Sequence, residues 1–233
     1  MPQITRAATS VPIGPERPPL LRDDLLALVH RATFGYTAEE HSRAEAMGFE
    51  TWRDEQLDPA SIDDSQLDAQ LAAIPYLGMS VAELSAAFTG QNGADGEIRR
   101  ILQAARLLRA ATSRRQLLER MVEFWTDHFN VYGDGPISFL KVVDDREVVR
   151  RHAFGDFREL LSASAKSGAM LIYLDNATSV AAAPNENYSR ELMELHTLGT
   201  DAGYTEQDVQ EVARCLTGWT IHPPGHPNVG EFV

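Results

Sequence analysis

The feature that most constrains this chain is the punctuation of its apolar pattern. Apolar residues recur three and four positions apart, capping residues cut them at short intervals, and strand-like alternation never lasts more than a few residues. Leu21, Leu25, Leu28 and Val29 form one stripe that ends near Phe34-Gly35. Thr37-Ala-Glu-Glu40 has capping-box spacing, and Gly48 closes the helix it begins. Residues 49–57 form a short helix stopped by Asp58-Pro59, a weaker helical stretch covers 61–74, and Ser80-Val-Ala-Glu83 starts another helix. The spacing predicts an all-α fold, an irregular multi-helix bundle with little or no β structure.

The proline-rich residues 1–19 read as an irregular leader, and residues 20–233 as one helical domain, with a subdivision allowed near 91–96. There Gln91-Asn-Gly-Ala-Asp-Gly96 is a loop signal. It precedes a helical region over 97–129, broken at Thr112-Ser113 by a cap with Gln116 at the right offset. A turn over 132–136 leads to helical patterns at 138–151, 157–165, 186–198 and 206–216. Gly199 and Gly218 stand where C-caps belong, and Thr205 precedes Asp208 at N-cap spacing.

Charge narrows the function classes. The 233 residues carry a formal net charge of −13, which repels phosphate at long range, so neither nucleic acid nor an anionic membrane surface is an expected partner. The balance is uneven: residues 99–120 hold 7 arginines and a single acid. Those arginines are read as pairing with acidic surroundings and covering apolar surface, with a patch for an anionic ligand as the sharper alternative. The one cysteine, Cys215, rules out an intrachain disulfide and reads as a small core residue beside Val212 and Leu216. No apolar run has signal-peptide or bilayer-spanning length, so membrane insertion is not expected and the chain as given reads as cytoplasmic.

No dinucleotide, Walker, nucleophile-elbow or His-Glu-x-x-His motif occurs, and no motif names a cofactor, a metal or a reaction. Two polar segments stand out. In Glu123-Phe-Trp-Thr-Asp-His-Phe129, Val122, Trp125 and Phe129 share an apolar face; His128 lies at its edge, while Asp127 points away. In the stretch from Leu174-Asp175-Asn176 to His196, Tyr188, Leu192 and Leu195 form the predicted buried stripe. Asn187, Arg190, Glu191 and Glu194 gather on the opposite side, and Glu186–Arg190 and Arg190–Glu194 have i,i+4 pairing distance. His196 falls too far round the helix to share a metal with Glu191 and Glu194. Such a face is either a solvated set of ion pairs or the lining of a cleft, with Arg190 on an anion and Glu191 or Glu194 as acid, base or ligand.

Several stretches together carry a resemblance. They are His30-Arg-Ala-Thr-Phe-Gly35, Phe124-Trp-Thr-Asp-His-Phe129, Phe157-Arg-Glu-Leu-Leu161, Tyr173-Leu-Asp-Asn176, Pro184-Asn-Glu-Asn-Tyr188, Arg190-Glu-Leu-Met-Glu-Leu-His-Thr-Leu-Gly199, Tyr204-Thr-Glu206 and Leu216-Thr-Gly-Trp-Thr220. In this order, from about Leu20 to Thr220, the chain resembles the bacterial "domain of unknown function 1800" family. The resemblance implies proteins that are longer and often exported, frequently encoded beside a second uncharacterised family. This chain then looks like the N-terminal half of the family domain. The family motifs fall on Asp127, His128, Asp175, Asn176, Asn185, Glu186, Asn187, Arg190, Glu191 and Glu194, without assigning a catalytic role to any of them. The expected function is a binding or assembly module acting with a partner protein encoded nearby. The alternative is an enzyme or enzyme fragment: His128, Asp127, Glu191 and Glu194 would be the catalytic candidates, and Asp175, Asn176, Asn185, Glu186, Asn187 and Arg190 would bind a metal or small anionic ligand.

Overall fold

The longest apolar stripes decide which helices become the frame. A computed structural model of the chain describes residues 22–233 except Tyr36, Thr89, Gly90, Asn92, Asp134 and Pro136, and except the side chains of Arg22 and Asp23. The leader 1–19 lies outside the described residues. In chain order the helices are α1 (Arg22–Ala32), α2 (Ala38–Met47), α3 (Phe49–Leu57), α4 (Ser65–Ala72), α5 (Val81–Ala87), α6 (Ala94–Thr112), α7 (Gln116–His128) and α8 (Ile137–Asp144). They continue with α9 (Phe157–Ala165), α10 (Gly168–Tyr173), α11 (Asn187–Glu191) and α12 (Glu206–Cys215). Two π turns, Asp145–Arg150 and Leu192–Thr197, extend α8 and α11. The described residues contain no strand, only isolated bridges at Val180–Ala183 and Ile221–Phe232, so the fold is all-α as expected.

α7 runs through the molecule as a spine. Its first turn puts Leu117 against the small core of α1–α3, made of Leu25, Val29, Ala32, Ala44 and Trp52. Val122, in its middle, packs on Val149 and Ala153. Its end supplies Phe129 to the main core with Val148, Leu160, Met170, Tyr188 and Leu216, and Trp125 packs beside it. A further cluster joins α5 and α6 to α8 through Leu84, Ile98 and Val142.

Local chemistry ends most helices where the spacing places their ends. The Thr37 side chain accepts the Glu40 N–H, Ser80 and Glu83 form a reciprocal capping box, and so do Thr205 and Asp208. The corner between α6 and α7 differs. Gln116 does not complete a capping box with Ser113; it donates to the Ala110 and Ser113 carbonyls and accepts from Phe34 N. The first turn of α7 is capped instead from α3, because the buried Gln56 accepts the Leu117 N–H at 3.1 Å and donates to the Arg114 carbonyl at 3.0 Å.

Three expectations are corrected. The loop after Gln91 is shorter than predicted, since α6 already begins at Ala94. Cys215 is exposed: on α12 the buried positions are Val209 and Ala213, and Cys215 lies well round the helix from them. Leu195 is 61% exposed, whereas Met193 and His196 are buried. The π turn puts one extra residue into the helix after Glu191 and shifts every later side chain out of the α-helical phase. α10 escaped the pattern because Ala169, Met170 and Leu171 are all buried, which leaves no polar face to mark a period.

Gln56→Leu keeps the volume but leaves the Arg114 carbonyl and the Leu117 N–H unpaired. At roughly 1–3 kcal/mol for each stranded group, stability should fall by about 2–6 kcal/mol. Urea denaturation should show a lower midpoint at unchanged slope; a midpoint within error of the parent would remove Gln56 as the cap of α7.

Candidate functional site

The polar motif residues divide among four places. Arg190 is surrounded by carboxylates: Glu206, the first residue of α12, takes it in two bonds of 2.9 and 2.6 Å, and Glu194 and Glu186 stand at 3.3 and 3.4 Å. These partners, Glu206 first, raise its pKa further, so Arg190 ties α11 to α12. The two i,i+4 pairs were legible in the sequence; the stronger Glu206 partner, sixteen residues on, was not. Glu191 is half-buried on the same short helix.

The asparagines stitch backbone to backbone. Asn176 is fully buried and donates to the Leu216 carbonyl at 3.2 Å, while its Oδ1 has no partner. It follows Asp175, an exposed side chain at φ 60 and the one non-glycine residue with positive φ among those described. Ser179 accepts the Asn185 N–H on its hydroxyl and the Gly218 N–H on its carbonyl, and the Thr220 hydroxyl donates to Ala177. Asn185 in turn accepts the Asn187 N–H at 2.9 Å. The Leu-Asp-Asn, Pro-Asn-Glu-Asn-Tyr and Leu-Thr-Gly-Trp-Thr stretches therefore meet in one knot of loops.

His128 meets the other end of the same helical segment. Its Nε2 lies 3.1 Å from the His196 carbonyl, which requires the Nε2–H form, and its ring stacks 6.2 Å from Phe124 with Phe157 at 6.3 Å. His196 is 5% exposed with an unpartnered Nδ1, and burial, helped by the nearby His128, pushes its pKa down to about 4. Asp127, next in sequence to His128, faces a different space altogether. Among the described residues, no three His, Cys, Asp or Glu side chains are placed to hold a metal ion.

That space is a cleft of about 400 Å³ between the α1–α2 corner, α6, α7 and the first π turn. One face of α7, running from Glu119 through Val122, Glu123 and Thr126 to Asp127, forms one side. Phe34, Leu107 and Ala110 supply apolar wall, and Arg106 and Arg150 a cationic floor. Behind it lies an ion network. Arg106 grips Asp145 Oδ1 through Nε and Nη2 at 3.0 and 2.8 Å. Arg150 bonds Asp145 Oδ2 at 3.0 Å and holds Glu119 in a bidentate pair at 3.0 and 2.7 Å. Asp145 and Arg150 are five residues apart and meet because the π turn brings such residues to one side.

The network holds more cations than anions. Burial pushes the Asp145 carboxyl up, but Arg150, Arg106 and Arg109 together outweigh it and hold it below the usual range. Arg109 sits beside them with a buried, unpartnered Nη1; burial and the neighbouring Arg150 lower its pKa. Thr126, 8% exposed and lining the cleft, also has a hydroxyl without a partner. Of these residues only Asp127 was singled out from sequence. The available signal was the run of arginines from 99 to 120, whose single acid is Glu119. Most of that run pairs as expected, Arg100 with Glu97, Arg115 with Asp68 and Arg120 with Glu123.

The family described as "Protein of unknown function (DUF1800)" matches residues 27–233. No curated protein and no solved structure matches the chain. No helix among the described residues is long and apolar enough to cross a membrane.

The depressed pKa of His196 gives a definite pH dependence. Above its ordinary 6.5 the ring is neutral in both folded and unfolded states, and its contribution is fully present. As pH falls from 6.5 towards 4 the unfolded chain takes up a proton that the folded chain refuses, so stability is lost over that window. Urea titrations at several pH values should show this slope reduced in His196→Asn. The further loss below 3.8, where Asp145 begins to protonate in the unfolded chain, should remain. Parallel pH profiles above pH 4 would refute the assignment.

Proposed function

The chain belongs to the DUF1800 family, and we propose that it is a binding module whose site is the arginine-floored cleft and whose ligand is a small anion or an anionic group of a larger molecule. One observation carries the reading. Arg106 and Arg150 line a half-enclosed cleft and Arg109 stands beside them, so three guanidiniums meet the two carboxylates of Asp145 and Glu119. The network therefore carries one positive charge in excess, which an anion in the cleft would offset. Guanidinium groups suit carboxylate and phosphate geometry, and the apolar walls lower the local dielectric around them. The cleft offers donors and a wall rather than a nucleophile held against a base, which favours binding over turnover.

The test uses sodium acetate and sodium phosphate as probes, against sodium chloride at constant ionic strength, read by calorimetric titration and by thermal shift. Either anion should bind saturably and stabilise the protein. Arg106→Gln removes a guanidinium that lines the cleft, so anion affinity should fall roughly tenfold. Arg109→Gln removes the excess charge beside it and should weaken the anion response while leaving the circular dichroism unchanged. Equal responses in parent and variants, or none beyond chloride, would end this reading.

A second role is favoured by a separate observation: Phe124 and Phe157, 55% and 41% exposed, gather around His128, with Leu195, 61% exposed, next to His196. Such a face suits docking on a partner protein. Co-expressed with the product of the neighbouring gene, the chain should co-elute with it, and Phe124→Ser with Leu195→Ser should abolish co-elution without changing the circular dichroism. Separate elution of the unmodified pair, or co-elution that survives both substitutions, counts against it.

A further inference from the structure

The arginine-floored cleft does not end at its own walls. A second space of about 900 Å³ adjoins it, and Phe34, Leu107 and Ala110 line both. From Arg106 the shared wall follows α6 through Leu107 and Ala110 to Ala111, with Phe34 added from the α1–α2 corner. Leu107 is 71% exposed and Ala111 is exposed as well, so this stretch of α6 presents apolar side chains to open space. Most polar side chains that border the second space are engaged within the protein. Gln116 accepts the Phe34 N–H and donates to the Ala110 and Ser113 carbonyls, the Thr33 hydroxyl is on the Val29 and Gly35 carbonyls, and Arg43 is held by Glu40 and Glu55. Arg106 differs. It gives Nε and Nη2 to Asp145, but its Nη1 bonds nothing among the described residues, and its side chain is 32% exposed. Arg150 contributes charge alone, because its three nitrogens are all on Asp145 and Glu119.

We propose that the ligand is a monocarboxylate with an unbranched apolar tail, its carboxylate on Arg106 Nη1 and its tail laid along Leu107, Ala110 and Phe34 into the adjoining space. The inference rests on the anion-binding reading above and names the class of anion. The positive excess of the network favours one negative group beside Arg106. A second is disfavoured, because Asp127 and Glu39, both exposed, border the two spaces, and the cation nearest Glu123, Arg120, is already paired with it. Phosphate fits less well than carboxylate, since its further oxygens would meet apolar wall without a donor. From Arg106 to Ala111 the helix rises roughly 7–8 Å. That is the reach of about six carbons in a zigzag of ~1.5 Å bonds, so a chain of about eight extends into the second space. A peptide ending in a free carboxylate shares the head group. Each of its peptide units, however, would bring an N–H and a C=O against a wall whose polar groups are largely paired already.

The experiment is calorimetric titration of the full chain with acetate, hexanoate, octanoate, octanedioate and the peptide N-acetyl-Ala-Leu-Leu, all below micelle-forming concentrations. Affinity should rise about twofold for each added CH₂, less than full burial gives because the space is open on one side. The heat-capacity change should grow more negative along the series. Octanedioate and the peptide should both bind more weakly than octanoate. Leu107→Ser, a substitution at an exposed position, should shrink the ratio of octanoate to acetate affinity about fivefold. Acetate binding as tight as octanoate would overturn the tail and leave the anion site standing. A rising series that Leu107→Ser does not change would overturn it too, by placing the tail elsewhere. Tighter binding of the peptide would replace the alkyl chain with a peptide C-terminus, and tighter binding of octanedioate would overturn the limit to one charge. Octanoate binding untouched by Arg106→Gln, or no binding of any carboxylate, would remove the anion site itself.

Discussion

The carboxylate of Asp145 is the point on which the centre of the molecule hangs. It is almost wholly buried, and a buried charge of this kind persists only if cations meet it with good geometry. Arg106 reaches it from α6 and Arg150 from its own π turn, and Arg150 then fixes Glu119 on α7. Three helical elements are thereby held at set distances by a single chain of charge-assisted bonds. The arrangement contributes geometry more than net stability, because each ion has given up its hydration. What it does specify is register: α7 cannot slide along α6 without leaving Glu119 or Asp145 unpaired in the interior.

The same network depends on a π turn, and π turns mark the limit of what the sequence discloses. Caps were legible because they are local chemistry. Thr37 with Glu40, Ser80 with Glu83, Thr205 with Asp208 and the stop at Asp58-Pro59 each involve residues within a few positions. The phase of a helix beyond an inserted residue is another matter. Up to Glu191 a period of 3.6 applies; after it, Met193 and His196 turn inward and Leu195 turns out. No local preference announces that insertion. Its neighbours in space come from far along the chain: Tyr188 packs with Phe129 in the main core, and His128 bonds the His196 carbonyl.

The polar motifs were partly legible for a related reason. Asn176, Asn185 and Arg190 stand out as polar residues in unlikely company, and they are indeed held by specific partners. For two of them the partner lies far along the chain, Leu216 for Asn176 and Glu206 for Arg190, whereas the Asn185 side chain accepts the Asn187 N–H two residues on. Spacing can say that such a residue has work to do, yet not whether backbone or ligand receives its hydrogen bond. The cleft shows the complementary failure. Arg150 and Asp145 look ordinary in an acid-rich stretch, and Glu119 looks incidental among arginines. Only the imbalance itself, seven arginines against one acid inside a chain of charge −13, pointed to pairing across the fold.

A network built for structure alone would close its accounts locally, with as many acceptors as donors. Here it does not. Arg109 adds a third guanidinium that repels Arg150 and leaves a buried Nη1 unbonded, and Thr126 adds a hydroxyl with the same defect. Each unsatisfied group of this kind costs about 1–3 kcal/mol, a large fraction of the margin by which a domain is stable. Arg109 is held there by the attraction of Asp145 and Glu119, which opposes the repulsion from Arg150. Three guanidiniums against two carboxylates leave this network one positive charge in excess, and that excess is what the proposed anion would offset.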